Sequence, residues 1–320
     1  MIKRDILTGD EFTSEELEYL IKLSQILKSK GNFKPLKGKK MVLLFQKPST
    51  RTRVSLEIAM YELGGYSIYM SQNETQWGRG ESLADTAKVL SLYFDVVAAR
   101  VINHKDLEEL AKNSTIPVIN APSDKYHPLQ MLGDLMTIKE IKGKIKGVKL
   151  VWIGDGNNVC NSLILGASKL GANIVISSPK GFEPAEEVIK KAKDYSKVSG
   201  GSINLIEEPT EAAKDADIIY TDSFISMGME KEAERRLKIF LPKYQVNLNL
   251  LKLAKKDVGF LHCLPAFRGR EVTNEVIDGN RSFVWKQAEN RLHSFKALLC
   301  YLSLKKDKLD LLFKGFKDVL

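Results

Sequence analysis

Short runs of aliphatic and β-branched residues alternate along the chain with stretches whose apolar positions recur every three to four residues. This alternation is typical of parallel βαβ units. In the first half it predicts strands at residues 41–45, 66–70, 96–101 and 117–121, and helices at 49–63, 82–93, 106–113 and 129–141. In the helix at 49–63, Val54, Ile58 and Tyr61 share one face and Leu56, Ala59 and Leu63 the next.

A lysine- and glycine-rich hinge at residues 142–147 precedes a second series of the same kind. Its strands are expected at 148–153, 174–177, 203–206, 218–221 and 258–261, and a helix at 285–304. The pattern predicts an α/β fold of two doubly wound parallel-sheet lobes with the active site in the cleft between them. The expected domains are residues 1–141, joined by the C-terminal helix at about 286–320, and residues 147–285.

Composition narrows the class of protein. Hydrophobic residues make up 43% and charged residues 28%, which is the balance of a soluble globular chain. No apolar run approaches the roughly 20 residues that cross a bilayer, and the first residues do not resemble a signal peptide. We therefore expect a cytoplasmic protein that does not bind a membrane. Cys160, Cys263 and Cys300 form no CxxC pair, so neither disulfides nor a metal site is expected.

The formal net charge of +9 does not by itself identify a partner. The chain has no basic stretch interleaved with aromatic residues and no zinc-finger spacing. Lysine-rich solvated surfaces explain this charge more simply, so nucleic-acid binding is not expected.

Ligands of open parallel sheets bind beyond the carboxyl ends of the strands. Unusual polar residues follow several predicted strands: residues 47–53, Arg100, His127, Gln130, residues 155–158, residues 222–227 and residues 262–265. Ser49, Thr50, Arg51 and Thr52 open a helix, where side-chain caps, backbone N–H groups and a guanidinium together suit a phosphate. The GxxxxGK[ST] pattern of a nucleotide P-loop is missing.

Five stretches resemble the aspartate and ornithine carbamoyltransferase family. Residues 45–53, Phe-Gln-Lys-Pro-Ser-Thr-Arg-Thr-Arg, are similar to its carbamoyl phosphate signature. Further matches are Tyr-His-Pro-Leu-Gln at 126–130, Gly-Asp-Gly-Asn-Asn at 154–158, a stretch at 222–230 that contains Ser-Met-Gly, and a stretch at 262–269 that begins with His-Cys-Leu-Pro. The last two are typical of the ornithine branch. The resemblance implies transfer of the carbamoyl group of carbamoyl phosphate to the δ-amine of L-ornithine, giving L-citrulline and phosphate, in arginine biosynthesis and without a cofactor.

The resemblance also implies roles for single residues. Carbamoyl phosphate would be held by Ser49, Thr50, Arg51, Thr52, Gln76, Arg100, His127, Gln130 and Arg291. Ornithine would be held by Asn158, Asp222, Ser226 and Met227, and Cys263 and Leu264 would lie at the reacting centre with Arg100 and His127. The family donates the residue matching Gln76 from a neighbouring subunit. A homo-oligomer built from trimers with shared active sites is therefore expected.

Other interpretations remain open. The amine acceptor could be aspartate, putrescine or acetylornithine, although no extra cations for a second carboxylate are visible after the second-half strands. A nicotinamide dehydrogenase is suggested by residues 148–179, but Val159 breaks the G-x-G-x-x-G spacing. His127 could be a buried structural histidine, and Asp222 a helix cap. Leu129, Phe267 and Lys88 depart from the family pattern without removing a charged candidate ligand.

Overall fold

The computed structural model describes residues 3–29, 33–226 and 228–314, without the side chains of 312–314. The chain divides into two compact units. The first unit is Met1–Met136 with Asn290–Leu320, and the second unit is Thr137–Glu289.

The first unit begins with a helix and continues as alternating strands and helices. In chain order the elements are α1 (Ser14–Ser29), β1 (Lys40–Phe45), α2 (Arg51–Glu62), β2 (Tyr66–Ser71), α3 (Leu83–Tyr93), β3 (Val96–Arg100), α4 (His104–Asn113), β4 (Val118–Asn120) and α5 (Pro128–Lys142). Two short 3-10 helices, Gln72–Glu74 and Trp77–Arg79, lie between β2 and α3.

The four strands of the first unit form a parallel sheet in the order β2-β1-β3-β4. From β1 the chain goes first to β2 on one side and then to β3 on the other side of β1. The direction of winding therefore reverses between the neighbouring strands β1 and β3. Phe45 at the end of β1 is in register with Arg100 at the end of β3. The loops after these two strands therefore diverge from one point, which is where doubly wound sheets bind ligands.

The second unit carries the remaining strands and most of the later helices. They are β5 (Lys149–Ile153), α6 (Asn158–Lys169), β6 (Asn173–Ser177), α7 (Glu186–Ser199), β7 (Ser202–Leu205), α8 (Pro209–Ala212), β8 (Ile218–Thr221), α9 (Ala233–Phe240), α10 (Leu248–Leu253), β9 (Gly259–His262), α11 (Asn274–Ile277) and the start of α12 (Val284–Ser303), which α13 (Lys306–Lys314) follows. Its parallel sheet has the order β7-β6-β5-β8-β9, with the reversal between β5 and β8. From Asn290 onward, α12 and α13 belong to the first unit.

The predicted class, two α/β lobes each built on a parallel sheet, is confirmed. Within it, α2 buries only one of its two apolar faces. Leu56 and Ala59 are fully buried, whereas Val54, Ile58 and Tyr61 are 50%, 40% and 74% exposed. The sequence pattern did not distinguish the two faces, because both are apolar.

Helix α1 was not among the elements predicted from the sequence, and the C-terminal helix expected at about 286–320 is divided, over its described residues, into α12 and α13. The signal for α1 was present, since Glu15 and Glu16 open it and Leu17, Leu20 and Leu27 recur along its buried face. In the described part of the chain, no helix combines the length and the apolarity that a membrane span requires.

Candidate active site

The start of α2 is the first candidate anion site. Thr50 occupies the N-cap position, but its side chain makes no capping hydrogen bond to the described helix. The cap expected from the sequence is therefore wrong for Thr50, although its carbonyl oxygen accepts the first helical bond from Val54 N at 3.0 Å. The first amides of a helix have no intrahelical acceptor and carry the positive end of the dipole. Ser49 is partly exposed and Thr50 is exposed beside them.

The two arginines of this segment have different surroundings. Arg53 Nε donates to Glu57 Oε1 at 3.1 Å, and its guanidinium lies 3.6 Å from the centre of the Tyr69 ring. Arg51, half-buried, lies close enough to Arg100 for its charge to lower the pKa of the Arg100 guanidinium. Of the two arginines, Arg51 is thus the one whose charge acts on Arg100.

Arg100 is the last residue of β3 and is half-buried. Burial lowers its pKa most, and the charge of Arg51 lowers it further. Its backbone is fixed by Gln46, whose N–H donates to Arg100 O at 2.8 Å and whose Oε1 accepts from Ile102 N at 2.5 Å. Gln46 was quoted in the sequence signature without a role, and its contacts give it one: it joins the ends of β1 and β3.

His127 precedes α5 and is 7% exposed. Burial lowers its pKa well below the usual value, and the charges of Arg291 and Arg100 act in the same direction. The backbone N–H of Gln130 donates to His127 Nδ1 at 3.3 Å. Since Nδ1 accepts, the proton of the neutral ring is on Nε2. His127 can therefore donate a hydrogen bond to a ligand oxygen at neutral pH.

Gln130 is fully buried on the first turn of α5. Its Nε2 donates to Asp134 Oδ1 at 2.8 Å, which leaves Oε1 as an acceptor without a partner among the described residues. A buried acceptor without a donor costs about 1–3 kcal/mol. Gln130 is therefore available to accept a hydrogen bond from an N–H donor.

Arg291 reaches the same cluster from α12 and is 3% exposed. Its Nη2 donates to Thr52 Oγ1 at 2.5 Å. Gly133 of α5 permits this approach, because a Cβ there would lie 3.1 Å from Arg291 Cγ and 3.5 Å from its backbone N. Arg51, Arg100, His127 and Arg291 are thus gathered around one place in the first unit.

Gln76 lies apart from this cluster. It is exposed between the two 3-10 helices, and no hydrogen bond or ion pair joins its side chain to another described residue. The loop around it is well defined, since a Cβ at Gly78 would lie 2.4 Å from Gln72 O and Trp77 packs against the core. The loop presents Gln76 outward.

In the second unit, Asp222 directly follows β8 and is half-buried. Its Oδ2 accepts from Asn157 Nδ2 at 2.7 Å, and its Oδ1 accepts from Ser223 N at 2.7 Å and Cys263 Sγ at 2.9 Å. Three neutral donors hold this carboxylate. No helix begins directly after it, so the alternative interpretation of Asp222 as a helix cap is wrong.

Asn157 was missed by the sequence interpretation, which selected its neighbour Asn158. Asn157 caps α6 by accepting from Val159 N and Cys160 N at 3.0 and 3.2 Å, and it also donates to Asp222. Asn158 is the first residue of α6 and is partly exposed. The sequence shows the two adjacent asparagines, but only the structure shows that Asn157, and not Asn158, caps α6 and donates to Asp222.

Arg236 is a second residue that the sequence interpretation missed. It is 5% exposed on α9, and its guanidinium pairs with the carboxylate of Asp155 and donates through Nε to Phe224 O at 2.5 Å. It thereby joins the loop after β5 to the loop after β8. Ser226 lies in the latter and is partly exposed, while Met227 lies outside the described residues.

Cys263 and Leu264 follow β9. Leu264 has a backbone φ of 60°, and its N–H donates to His262 Nδ1 at 2.9 Å. Ligand atoms of Asp222, His262 and Cys263 lie within 4.8 Å of one another, which makes them a group that could hold a metal ion. Hydrogen bonds already occupy both His262 nitrogens and join Cys263 to Asp222. This bonding pattern favours a polar cluster over a metal centre.

Both halves of the chain match models of one protein family. Residues 4–140 match the aspartate/ornithine carbamoyltransferase carbamoyl-P binding domain, and residues 146–302 match the Asp/Orn binding domain of the same family.

Individual relatives match over nearly the whole chain. The ornithine carbamoyltransferase of Thermococcus kodakarensis is 53% identical over 300 residues, which are 92% of this chain and 95% of the relative. The anabolic ornithine carbamoyltransferase of Pyrococcus furiosus is 54% identical over 300 residues, which are also 92% of this chain and 95% of the relative. The solved structure of ornithine carbamoyltransferase from P. furiosus has a TM-score of 0.91 at 52% identity, covering 94% of this chain and 98% of that one.

Proposed function

The chain belongs to the aspartate/ornithine carbamoyltransferase family, and we propose that it transfers the carbamoyl group of carbamoyl phosphate to the δ-amine of L-ornithine. The products are L-citrulline and phosphate. The resemblance predicted from the sequence motifs is confirmed by the two family matches. Two observations carry the proposal: a cation cluster lies at the end of the sheet of the first unit, and the Asp222 carboxylate, held by neutral donors, follows β8 in the second unit.

The phosphate dianion is assigned to the start of α2. Ser49, Thr50, Arg51 and Thr52 supply hydroxyls, a guanidinium and helix amides, which are the groups that bind phosphate oxygens. Arg291 donates to Thr52 and carries a second buried positive charge beside it.

Carbonyl activation is assigned to Arg100 and His127. When an amine attacks, the carbonyl oxygen gains negative charge, and donors placed there in advance stabilise it. The Nε2–H of neutral His127 and the Arg100 guanidinium are such donors. Gln130 Oε1, a buried acceptor, suits the carbamoyl N–H, which distinguishes the nitrogen side of the group from the oxygen side.

Ornithine is assigned to the second unit. Asp222 is suited to the α-ammonium, because it is a half-buried carboxylate whose present partners are all neutral donors. Asn158, Ser226 and Met227 are proposed as further contacts of the amino acid. Cys263 and the main chain of Leu264 are proposed to orient the δ-amine. The neutral δ-amine then forms the new C–N bond, the bond between the carbamoyl carbon and the phosphate oxygen breaks, and the proton lost by the amine passes to the departing phosphate. No covalent enzyme intermediate and no cofactor are needed.

We propose a homo-oligomer built from trimers. Val54, Ile58 and Tyr61 on α2 and Tyr66 on β2 expose apolar surface on the first unit. The loop carrying Gln76 follows β2 directly and points outward, so a second copy seated on this surface could receive Gln76 in its own site. A cytoplasmic location in arginine biosynthesis, without membrane or nucleic-acid partners, completes the proposal.

A panel of amines tests the acceptor. Purified protein is supplied with carbamoyl phosphate and ornithine, acetylornithine, aspartate or putrescine, and each carbamoylated product is measured. We expect citrulline from ornithine and at most traces from the others, since putrescine lacks the carboxylate and aspartate adds one. Turnover with another amine and none with ornithine would reject the acceptor specificity.

Mixed oligomers test the shared site. Arg51→Ala and Gln76→Ala subunits should each be inactive alone. When the two are dissociated and reassembled together, some sites combine an intact Arg51 with an intact Gln76 from the neighbour, so activity should return. Mixtures that stay inactive while the exchange of subunits is demonstrated would contradict a donated Gln76.

A further inference from the structure

A buried polar pair, His262 and Glu271, lies next to the segment that carries Cys263 and Leu264. His262 Nε2 and Glu271 Oε1 are 3.2 Å apart, and both side chains are fully excluded from solvent. Burying a carboxyl group and an imidazole stabilises a fold less than apolar side chains of the same size would. The pair therefore calls for an explanation beyond stability.

The hydrogen bonds fix the state of the His262 ring. Leu264 N–H donates to Nδ1 at 2.9 Å, so Nδ1 carries no proton. The proton of the neutral ring is then on Nε2, from which it is donated to Glu271 Oε1. Glu271 thus selects the tautomer that keeps Nδ1 open as an acceptor.

Glu271 also holds the segment that returns from Leu264. Its Oε1 accepts from Phe267 N at 2.5 Å, and its carbonyl oxygen accepts from Val246 N at 2.9 Å. The backbone N–H of His262 donates to Gln287 Oε1 at 2.9 Å. Two hydrogen bonds consequently hold the ring, and a third holds the backbone that carries it.

The consequence appears at Leu264, whose φ of 60° lies in the left-handed region that leucine rarely adopts. A bond from the N–H of one residue to the side chain two positions earlier has the geometry of an Asx turn, with Nδ1 in place of an amide oxygen. This bond offsets the strain and sets the direction of the Cys263 and Leu264 carbonyl groups.

We propose that Glu271 is a positioning residue for the reacting centre and acts through His262. By holding the Nε2–H tautomer, it keeps Leu264 in its left-handed conformation and so orients the main chain that receives the δ-amine. This inference rests on the proposed function, because it takes Cys263 and Leu264 to lie at the reacting centre. It assigns neither Glu271 nor His262 a direct contact with substrate.

Two substitutions of His262 distinguish the role of ring nitrogen Nδ1 from that of Nε2. The amide oxygen of Asn can replace Nδ1 as the acceptor for Leu264 N–H, whereas Gln places its amide nearer to Nε2 and leaves Leu264 without a partner. We expect His262→Asn to keep kcat within about 10-fold of the wild type and His262→Gln to lose about 100-fold, the usual cost of misplacing reacting groups by about 1 Å. The opposite order, or equal kcat values in two folded variants, would reject the inference.

Glu271 is tested by a matched set. Glu271→Gln keeps an acceptor oxygen and should retain most activity, whereas Glu271→Leu removes it and should lower kcat with ornithine while the KM for carbamoyl phosphate stays constant. Glu275→Gln, an exposed neighbour, is the control and should behave as the wild type. Equal losses in the Gln and Leu variants, or a changed KM for carbamoyl phosphate only, would reject a positioning role.

Crystal structures of the two His262 variants supply a readout that does not depend on activity. Leu264 should keep a positive φ in His262→Asn and leave that region in His262→Gln. A wild type that makes no citrulline would reject the proposed function, whereas an unchanged Leu264 in His262→Gln would reject this inference alone.

Discussion

The first unit gathers Arg51, Arg100 and Arg291 around buried His127, whereas the second unit places the Asp222 carboxylate among neutral donors. Both sites lie where the sheet reverses its winding, between β1 and β3 in one case and between β5 and β8 in the other. Two sheets of similar topology have therefore been given opposite charges at equivalent positions. The topology determines where a ligand binds, and the loop residues determine its charge.

The two sites also differ in how they tolerate their charge. The arginines disfavour one another and, with burial, keep His127 neutral, so an anion would relieve an existing repulsion. Asp222 already accepts three hydrogen bonds, all from neutral donors. We infer that the first site is arranged for a strongly charged anion and the second for discrimination among amines.

The largest effect is expected from Arg51→Ala. It removes the guanidinium assigned to the phosphate, and the loss of a donor to transition-state charge typically costs about 10²- to 10³-fold in kcat. Steady-state citrulline formation measures it. A decrease smaller than 10-fold would contradict the assignment.

Arg53→Ala is the control for Arg51→Ala, since it lies two residues further along the same helix. Its guanidinium is engaged by Glu57 and Tyr69 instead of facing Arg100. We expect kcat/KM within about 10-fold of the wild type, because the exposed pair contributes only about 0.3–0.5 kcal/mol. Equal losses in the two variants would mean that the helix start matters and Arg51 itself does not.

Asp222→Asn should have the next largest effect. It keeps the shape and most hydrogen bonds of the side chain but removes the charge that pairs with the α-ammonium. A hydrogen bond between charged groups contributes about 1.5–3 kcal/mol, so the KM for ornithine should rise about 10- to 100-fold. The KM for carbamoyl phosphate should change little. A rise confined to carbamoyl phosphate would reverse the assignment of the two units.

The smallest effect concerns His127 and pH. Its pKa is held well below the ordinary value of about 6.5, so below that pH the unfolded chain binds a proton that the folded chain does not. Stability is therefore lost as the pH falls, by about 1.4 kcal/mol per pH unit for this group. Urea unfolding at pH 7.5 and 5.5 should show a smaller loss in His127→Gln than in the wild type. Parallel losses would mean that His127 is protonated in the folded state.

Much of the fold could be predicted from the sequence, because parallel strands are short, apolar and regularly separated by helices. The nine strands fall within one or two residues of their predicted positions. Which face of α2 is buried could not be predicted, since Val54 and Leu56 are equally apolar and only packing against the sheet separates them. The interruption of the C-terminal helix expected at about 286–320 was not predicted; the structure ends α12 at Ser303 and begins α13 at Lys306.

Candidate site residues could be predicted where the residue type and its position after a strand were sufficient to select them. Arg51, Arg100 and His127 were selected because they follow strands, and the structure brings them together with Arg291. Asn157 and Arg236 were missed because their roles depend on partners 65 and 81 residues away, Asp222 and Asp155. Such pairings are set by tertiary structure and leave no local pattern. The assigned ligand roles themselves stay predictions.

Phosphate binding tests the central claim most directly, because it needs neither turnover nor an amine. Inorganic phosphate is titrated calorimetrically into the wild type, Arg51→Ala and Asp222→Asn. The account predicts that the wild type and Asp222→Asn bind phosphate with similar affinity and that Arg51→Ala loses at least 10-fold. Equal phosphate affinity in Arg51→Ala and the wild type would contradict it.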